Sequence, residues 1–156
     1  MKGVLPRVLK FGSILLNGLE LVDKVISEVR IVISGAGASA ISCARHYVRL
    51  GVHKANIVMV DSKGILTKAR LDSGDLNEYK AEFVRNLPEG SISDAMIGCD
   101  VFLGLSKGGL VSPEMVKSMA ERPLIFALAN PDPEILPEDV MSVRDDAIIA
   151  TGRSDY

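Results

Sequence analysis

The sequence has no tryptophan, and its only aromatic residues are three tyrosines and four phenylalanines among 156 residues. It also lacks an excess of charge of one sign, since 18 lysines and arginines stand against 20 aspartates and glutamates. A nucleic-acid-binding surface needs basic residues for the phosphates and aromatic rings for the bases. The composition therefore argues against a nucleic-acid partner.

Cysteines and long apolar runs are also scarce. The two cysteines, Cys43 and Cys99, are far apart and form no metal-like pair, so neither a disulfide framework nor a zinc site is expected. Charged residues interrupt the apolar N-terminal stretch, which favours an amphipathic helix over a signal peptide, and no apolar run is long enough to cross a bilayer. We expect a cytoplasmic protein with no membrane partner.

The sequence does contain a regular alternation of strand-like and helical segments. Apolar residues at a spacing near 3.6 predict one long helix over residues 4–26. Short apolar segments bounded by glycine or polar residues predict strands. These five strands lie at residues 30–34, 57–60, 101–103, 124–129 and 147–150.

Helices are predicted between the strands, and residues 62–74 are predicted to form a surface loop. The helices lie at residues 38–50, 75–85 and 91–97, with a further one opening at Ser112. Apolar strands that alternate with helices are typical of a parallel sheet covered on both faces. We therefore predict a single α/β domain over residues 1–156, a Rossmann-like, doubly wound parallel sheet of about five strands with a long N-terminal helix.

A glycine-rich motif of the form G-x-G-x-x-A joins the first predicted strand to the following helix. Its first glycine permits a tight turn, its second lets the backbone approach a pyrophosphate, and its alanine lets helix and strand pack closely. Free amides at the helix start, aided by the helix dipole, bind phosphate oxygens. The motif predicts a dinucleotide site that contains Gly35, Ala36, Gly37, Ala38, Ser39 and Ala40.

Asp61 ends the second predicted strand, about 20 residues beyond the glycine loop, where an acidic residue bonds the adenosine ribose in such folds. Ser62 and Lys63 follow it and belong to the predicted site. A carboxylate repels the 2′-phosphate of NADP, whereas a nearby cation attracts it. The residues therefore favour NAD and leave NADP open.

Each predicted strand ends in glycine or a short polar residue. Ligands of an open parallel sheet bind beyond the carboxyl ends of its strands, so these residues outline a cleft with Gly37, Gly104 and Asn130 on its floor. Turn formation alone also favours such residues there. The acidic pairs at 138–139 and 145–146 are expected to be solvated, and no metal site is predicted.

Four sequence segments, taken together and in the order in which they occur, resemble the nucleotide-binding domain of bacterial-type malic enzymes. They lie at residues 31–41, 60–64, 123–131 and 151–156, and the last two, PLIFALANP and TGRSDY, are the most specific. The resemblance covers the chain from about residue 11 to its end.

This resemblance implies hydride transfer from L-malate to NAD or NADP and decarboxylation to pyruvate and CO2, with Mg²⁺ or Mn²⁺ as Lewis acid in the intact enzyme. It also implies a homo-oligomer. The residue roles that it implies are Gly35, Gly37 and Ala40 at the pyrophosphate, Asp61 at the adenosine ribose, Gly104 and Ser106 near the nicotinamide, and Asn130 beside the nicotinamide or the substrate carboxylate.

The sequence departs from the family pattern near both ends. Met1-Lys2 replace an expected acidic pair, Arg7 and Lys10 replace small or apolar residues and suggest a solvated helix, and asparagines expected after Tyr156 are missing. The family takes its catalytic tyrosine and lysine and most metal ligands from a preceding domain. We therefore expect a truncated domain that binds cofactor without turnover and carries no catalytic residue or metal ligand.

Two alternatives stay open at this point. One is a non-catalytic or engineered Rossmann scaffold that self-associates, because a fold does not determine a function and a truncated domain exposes apolar surface. The other is a domain of a different dehydrogenase, such as one acting on shikimate or a folate.

Overall fold

The computed structural model describes residues 4–152, with side chains from residue 6 onwards. Met1-Lys2 and residues 153–156 of the TGRSDY run lie outside the described residues. None of the helices within residues 4–152 combines the length and the apolar character that crossing a membrane requires.

The first element is helix α1, Val4–Val22, which is shorter than the predicted 4–26. Its C-terminus is closed by a local hydrogen-bonding motif. Asp23 has a left-handed conformation with φ of 56°, and the amide of Lys24 donates to the carbonyl oxygen of Leu19 at 3.0 Å. This pattern caps the last carbonyl groups of a helix and turns the chain away from its axis.

Six strands form one central sheet. They are β1 (Ile31–Ser34), β2 (Ile57–Asp61), β3 (Gly64–Ile65), β4 (Val101–Gly104), β5 (Leu124–Ala127) and β6 (Ile148–Thr151). Their order is β3-β2-β1-β4-β5-β6, and neighbours pair in parallel except β2 with β3. All residues of β1, β4 and β5 are buried, as expected for apolar strands covered on both faces. The predicted Rossmann-like sheet is confirmed, with five parallel strands and one short antiparallel strand.

Helices cover the two faces of the sheet and produce two apolar clusters. Successive residues of a strand face opposite sides, so Ile31 and Ile33 of β1 join one cluster while Val32 joins the other. The first cluster includes α1 and α2 (Ala38–Leu50). The second includes residues of α5 (Ile92–Met96), α6 (Pro113–Lys117) and α7 (Pro137–Met141).

The prediction of a surface loop at residues 62–74 is wrong. The segment forms β3 and then α3 (Lys68–Asp72), whose start is capped by the side chain of Thr67. Leu66 is fully buried, and its amide donates to the carbonyl oxygen of Met59 at 3.0 Å. Contacts with the rest of the sheet, which a local apolar period does not report, therefore order this segment.

Several predicted elements are shorter than expected. The helix predicted over residues 75–85 forms only at α4 (Glu78–Ala81), because Arg85 forms a parallel bridge with Thr67 and is extended. The helix predicted over residues 91–97 is α5, which begins with a capping box between Ser91 and Asp94. Helix α7 was not predicted from the sequence.

Candidate functional site

The candidate site lies where the strand order of the sheet reverses. β1 and β4 are neighbours although β2 and β3 lie between them in sequence, and Ser34 is paired with Gly104 at their carboxyl ends. The amide of Leu105 donates to the carbonyl oxygen of Ser34 at 2.9 Å, and the hydroxyl oxygens of Ser34 and Ser106 are 2.8 Å apart. Such a switch point is where open α/β sheets bind their ligands.

The glycine loop starts at this point. Gly35 has φ of 121°, a conformation that favours glycine, and its amide donates to the carbonyl oxygen of Val60 at 2.8 Å. Gly37 precedes α2 with φ of −81°, and a Cβ atom added there would meet no atom within 4 Å. The backbone at Gly37 therefore faces open space that a ligand could fill.

The start of α2 has unused hydrogen-bond donors. No side chain caps the helix, and the amide of Ile41 is the one that donates to the carbonyl oxygen of Gly37, at 3.0 Å. The amides that precede Ile41 in the first turn have no intrahelical acceptor. Together with the positive end of the helix dipole, they suit an anion such as a diphosphate.

A first cleft of about 500 Å³ opens on one side of the switch point. Six of the predicted site residues line it, namely Gly35, Ala36, Asp61, Ser62, Lys63 and Ser106. Val60, Ile92 and Leu110 give it an apolar wall suited to a flat ring. Ser91 and Lys107 also line it, and they were not predicted because no local motif distinguishes them.

A second cleft of about 410 Å³ lies on the other side. Ser39 and Asn130 of the predicted set line it, and Ser106 lines both clefts and so stands between them. Arg7 and Lys10 from the first turns of α1 are exposed and also line this cleft. From these two charges the helix was expected to be solvated, and the part of its surface that carries them also forms one wall of the second cleft.

Four predicted residues line neither cleft. Gly37 and Ala38 are exposed at the start of α2, at the amides described above, and Ala40 is buried in the core cluster that joins α2 to the sheet. Gly104, expected on the cleft floor, is buried instead against Glu134, and a Cβ atom added at Gly104 would overlap the Glu134 carboxyl group.

Asp61, predicted to meet the ribose, is already engaged with cations. The Arg70 guanidinium donates from Nη1 and Nη2 to the two carboxylate oxygens, at 2.9 and 2.8 Å. Lys80 Nζ and the backbone amide of Lys63 donate to the same carboxylate, at 3.2 and 2.9 Å. Burial alone would raise the pKa of Asp61, but these hydrogen bonds outweigh it and lower the pKa to about 2.

Arg70 is the centre of this polar group. It is 9% exposed, its Nε donates to Asp75 at 2.7 Å, and its Nη1 also reaches the carbonyl oxygens of Gly64 and Ile65, each at 3.2 Å. Its hydrogen bonds to Asp61 and then to Asp75 raise the pKa of Arg70, although burial opposes them. Lys63 Nζ bonds Asp75 at 2.9 Å. Arg70 was missed because it lies in the segment predicted as a surface loop. Lys80 was missed because no local motif in its predicted helix relates it to Asp61.

Glu134 is fully buried between the loops that follow β4 and β5. Its Oε1 accepts from the amide of Ala129 at 3.1 Å, and its Oε2 accepts from the amide of Ser106 at 3.4 Å. Burial raises the pKa of Glu134, and these amide hydrogen bonds offset part of the rise. Nothing in the apolar pattern of residues 128–136 predicted this buried carboxylate.

The side chains of residues 6–152 do not fit a metal ion. No group of three or more histidine, cysteine, aspartate or glutamate side chains converges within the part of the chain that the structure describes. Hard cations such as Mg²⁺ and Ca²⁺ need several oxygen ligands that converge on one point.

Comparison with known proteins gives the family. A sequence model described as malic enzyme, NAD binding domain, matches residues 11–154. The chain is 50% identical over 143 residues to the NADP-dependent malic enzyme of Escherichia coli (strain K12). This alignment covers 91% of this chain and 19% of that protein. The chain is 47% identical over 145 residues to the NAD-dependent malic enzyme of Rhizobium meliloti (strain 1021), with 93% and 19% covered.

A solved structure agrees with these sequence matches. The NAD-dependent malic enzyme from Thermotoga maritima superimposes with a TM-score of 0.86 at 39% identity, covering 96% of this chain and 40% of that one. The chain spans 18% to 19% of the length of the first curated relatives that it matches. With a family match over residues 11–154 and these identities, the chain belongs to the family of malic enzyme NAD-binding domains.

Proposed function

We propose that the crevice at the switch point binds a nicotinamide dinucleotide, with its pyrophosphate at the uncapped amides of residues 36–40. The observation that carries the proposal is the open space at Gly37, where an added Cβ would meet nothing within 4 Å, directly before an uncapped 13-residue helix. A diphosphate placed there accepts from several amides and gains the favourable field of the helix.

The two clefts divide the dinucleotide between them. The first cleft takes the adenosine half, with the ribose near Asp61, Ser62 and Lys63 and the adenine against apolar side chains. The second cleft takes the nicotinamide, near Ser106 and Asn130. A dinucleotide spans the switch point in this way in Rossmann folds.

The site accepts both NAD and NADP. Asp61 would repel the 2′-phosphate of NADP if its charge were free, but Arg70 and Lys80 already neutralise it. The whole group of Lys63, Arg70 and Lys80 with Asp61 and Asp75 has one net positive charge. Four donors already use the acceptor sites of Asp61, so a ribose hydroxyl donates to this carboxylate by replacing one of them. Lys80 Nζ, whose hydrogen bond of 3.2 Å is the longest of the four, is the donor to be replaced.

In the whole protein, the reaction is the oxidative decarboxylation of L-malate to pyruvate and CO2. When bound, the nicotinamide supplies the acceptor for the malate hydride. Asn130 orients the substrate, and the exposed cations Arg7 and Lys10 give the second cleft a charge that suits a dicarboxylate.

Residues 1–156 form one dinucleotide-binding domain. The general acid, the general base and the Mg²⁺ or Mn²⁺ ligands are supplied by residues outside it, and this domain alone binds cofactor without turnover. A cytoplasmic homo-oligomer remains our prediction for the whole protein, and light scattering on that protein would test the assembly.

A self-associating domain without cofactor is the second candidate function. Leu9 and Leu16, seven residues apart on α1, are 52% and 43% exposed, which favours an apolar contact between copies. Light scattering that shows a size increasing with concentration, in a protein that does not bind NADH, would support this alternative.

Calorimetric titration with NADH and NADPH tests the leading proposal. Gly37→Val places a branched side chain where the pyrophosphate would lie, at a backbone conformation that valine can adopt. We expect the wild type to bind both cofactors and Gly37→Val to bind neither measurably. Ala55→Val, at an exposed residue of the short 3-10 helix Lys54–Asn56 that precedes β2, is the matched control and should bind as the wild type does. Equal binding by Gly37→Val and the wild type would exclude the proposed pyrophosphate site.

A further inference from the structure

We infer that Glu134 is a positioning residue for the nicotinamide half of the site, because its carboxylate joins the two loops that carry Ser106 and Asn130. This inference depends on the proposed function. Among residues 6–152, Glu134 is the only acidic residue that is fully buried, and it forms no ion pair there. A buried carboxylate without a cation is destabilising unless hydrogen bonds compensate for the loss of water, so its presence calls for a specific role.

The contacts of Glu134 connect two strand ends that are separate in sequence. One carboxylate oxygen accepts from Ser106, just after β4, and the other accepts from Ala129, just after β5. Its backbone carbonyl oxygen accepts from the amide of Val111 at 3.0 Å, and the carbonyl oxygen of Pro133 accepts from Gly109 at 3.1 Å. Loops 105–111 and 128–136 are therefore held together as one unit with Glu134 at its centre.

An ionised carboxylate fits this position better than an amide would. Both of its oxygens face N–H donors, and an ionised carboxylate accepts at both oxygens. A glutamine would turn an NH2 group toward one of the two amides and leave that donor unpaired. The absence of a side chain at Gly104 provides the room for the carboxylate, since a Cβ atom there would overlap it.

The placement of Glu134 makes its effect unequal across the dinucleotide. Ser106 stands between the clefts and Asn130, directly after Ala129, lines the second. The ribose end instead depends on Asp61 and the residues after β2, which Glu134 does not contact. Loss of the carboxylate should therefore displace the nicotinamide wall, which both loops form, and disturb the adenosine half less, because only loop 105–111 lines the first cleft.

The test compares NADH with ADP-ribose, which has the same adenosine and pyrophosphate groups but no nicotinamide. Calorimetric titrations of the full chain are made with the wild type, Glu134→Gln and the control Glu138→Gln, whose side chain is exposed at the start of α7. For Glu134→Gln we expect the Kd of NADH to rise about tenfold and the Kd of ADP-ribose to stay within about twofold. Glu138→Gln should match the wild type for both ligands.

An equal loss for both ligands in Glu134→Gln, or no loss for either, would overturn the inference. If circular dichroism shows that Glu134→Gln does not fold, Glu134→Asp replaces it, since its shorter carboxylate cannot bridge both amides, and the same unequal loss is expected. A wild type that binds neither NADH nor ADP-ribose would overturn the proposed function itself, and so is distinct from a failure of the Glu134 inference alone.

Discussion

The guanidinium of Arg70 forms a two-point hydrogen-bonded ion pair with the carboxylate of Asp61, with N–O distances of 2.9 and 2.8 Å. Their side chains are 10% and 11% exposed, so little water reaches either charge, and each charge is stabilised mainly by the other. The pair joins the end of β2 to α3, next to the proposed ribose site. Stability and cofactor choice should therefore both respond to changes in this group.

Loss of Arg70 should destabilise the fold. Arg70→Met leaves the carboxylates of Asp61 and Asp75 without their shared partner, and we expect the free energy of unfolding to fall by about 3 kcal/mol. Urea denaturation followed by circular dichroism measures this change. Arg49→Met, at an exposed arginine of α2, is the control and should change stability by less than about 0.5 kcal/mol. Similar effects of both substitutions would contradict the importance of the pair.

Cofactor preference should respond to Lys63, which lines the first cleft and is 69% exposed. Lys63→Ala removes a cation that can reach a 2′-phosphate, so the Kd of NADPH should rise about tenfold. The Kd of NADH should stay within about twofold, because NADH lacks that phosphate. Lys68→Ala, exposed on α3 and outside the cleft, is the control. If Lys63→Ala weakened the binding of NADH and NADPH equally, Lys63 would not contact the 2′-phosphate, and the proposed position of the ribose would be wrong.

Stability should fall in acid because of Asp61. The pKa of Asp61 is lowered from 3.8 to about 2 in the folded protein, so the native state binds its proton less readily than the unfolded state does. The stabilisation is therefore present above pH 3.8 and is lost as the pH falls toward 2. Between roughly pH 5 and pH 2 the loss from this one group is about 2 kcal/mol.

Urea denaturation across this pH range measures the effect. Asp61→Asn should have a lower stability at neutral pH and a shallower decline in acid. The pKa of Asp146 is also lowered to about 2, chiefly by its hydrogen bonds from Arg144. The variant Asp146→Asn therefore measures how much of the loss of stability in acid comes from Asp146 and not from Asp61. An unchanged acid decline in Asp61→Asn would contradict the assignment to Asp61.

A side chain at Gly104 should destabilise the protein by displacing Glu134. For Gly104→Ala we expect a loss of about 3 kcal/mol, because the added Cβ overlaps a fully buried carboxyl group. In a Glu134→Ala background the same substitution should have a clearly smaller effect, since the space is then empty. Thermal denaturation of the four proteins gives this comparison. An equal loss in both backgrounds would mean that Gly104 is required for another reason.

The glycine loop and the sheet were predictable from sequence because their signals are local. The motif from Gly35 to Ala40 follows an apolar strand, and the structure has that strand and the following helix where they were predicted. The segment at residues 62–74, which forms β3 and α3, was not predictable in the same way. Its order depends on buried residues such as Leu66, whose partner Met59 lies on another strand.

By itself, the sequence determined the class of fold and the position of the glycine loop between β1 and α2, since each follows from the spacing of neighbouring residues. Only the tertiary structure decided that Asp61 meets Arg70 and Lys80, that Glu134 lies under Gly104, and that Ser106 separates two clefts. These contacts join residues from different elements. They depend on how the helices and loops pack against the sheet, which no local pattern records.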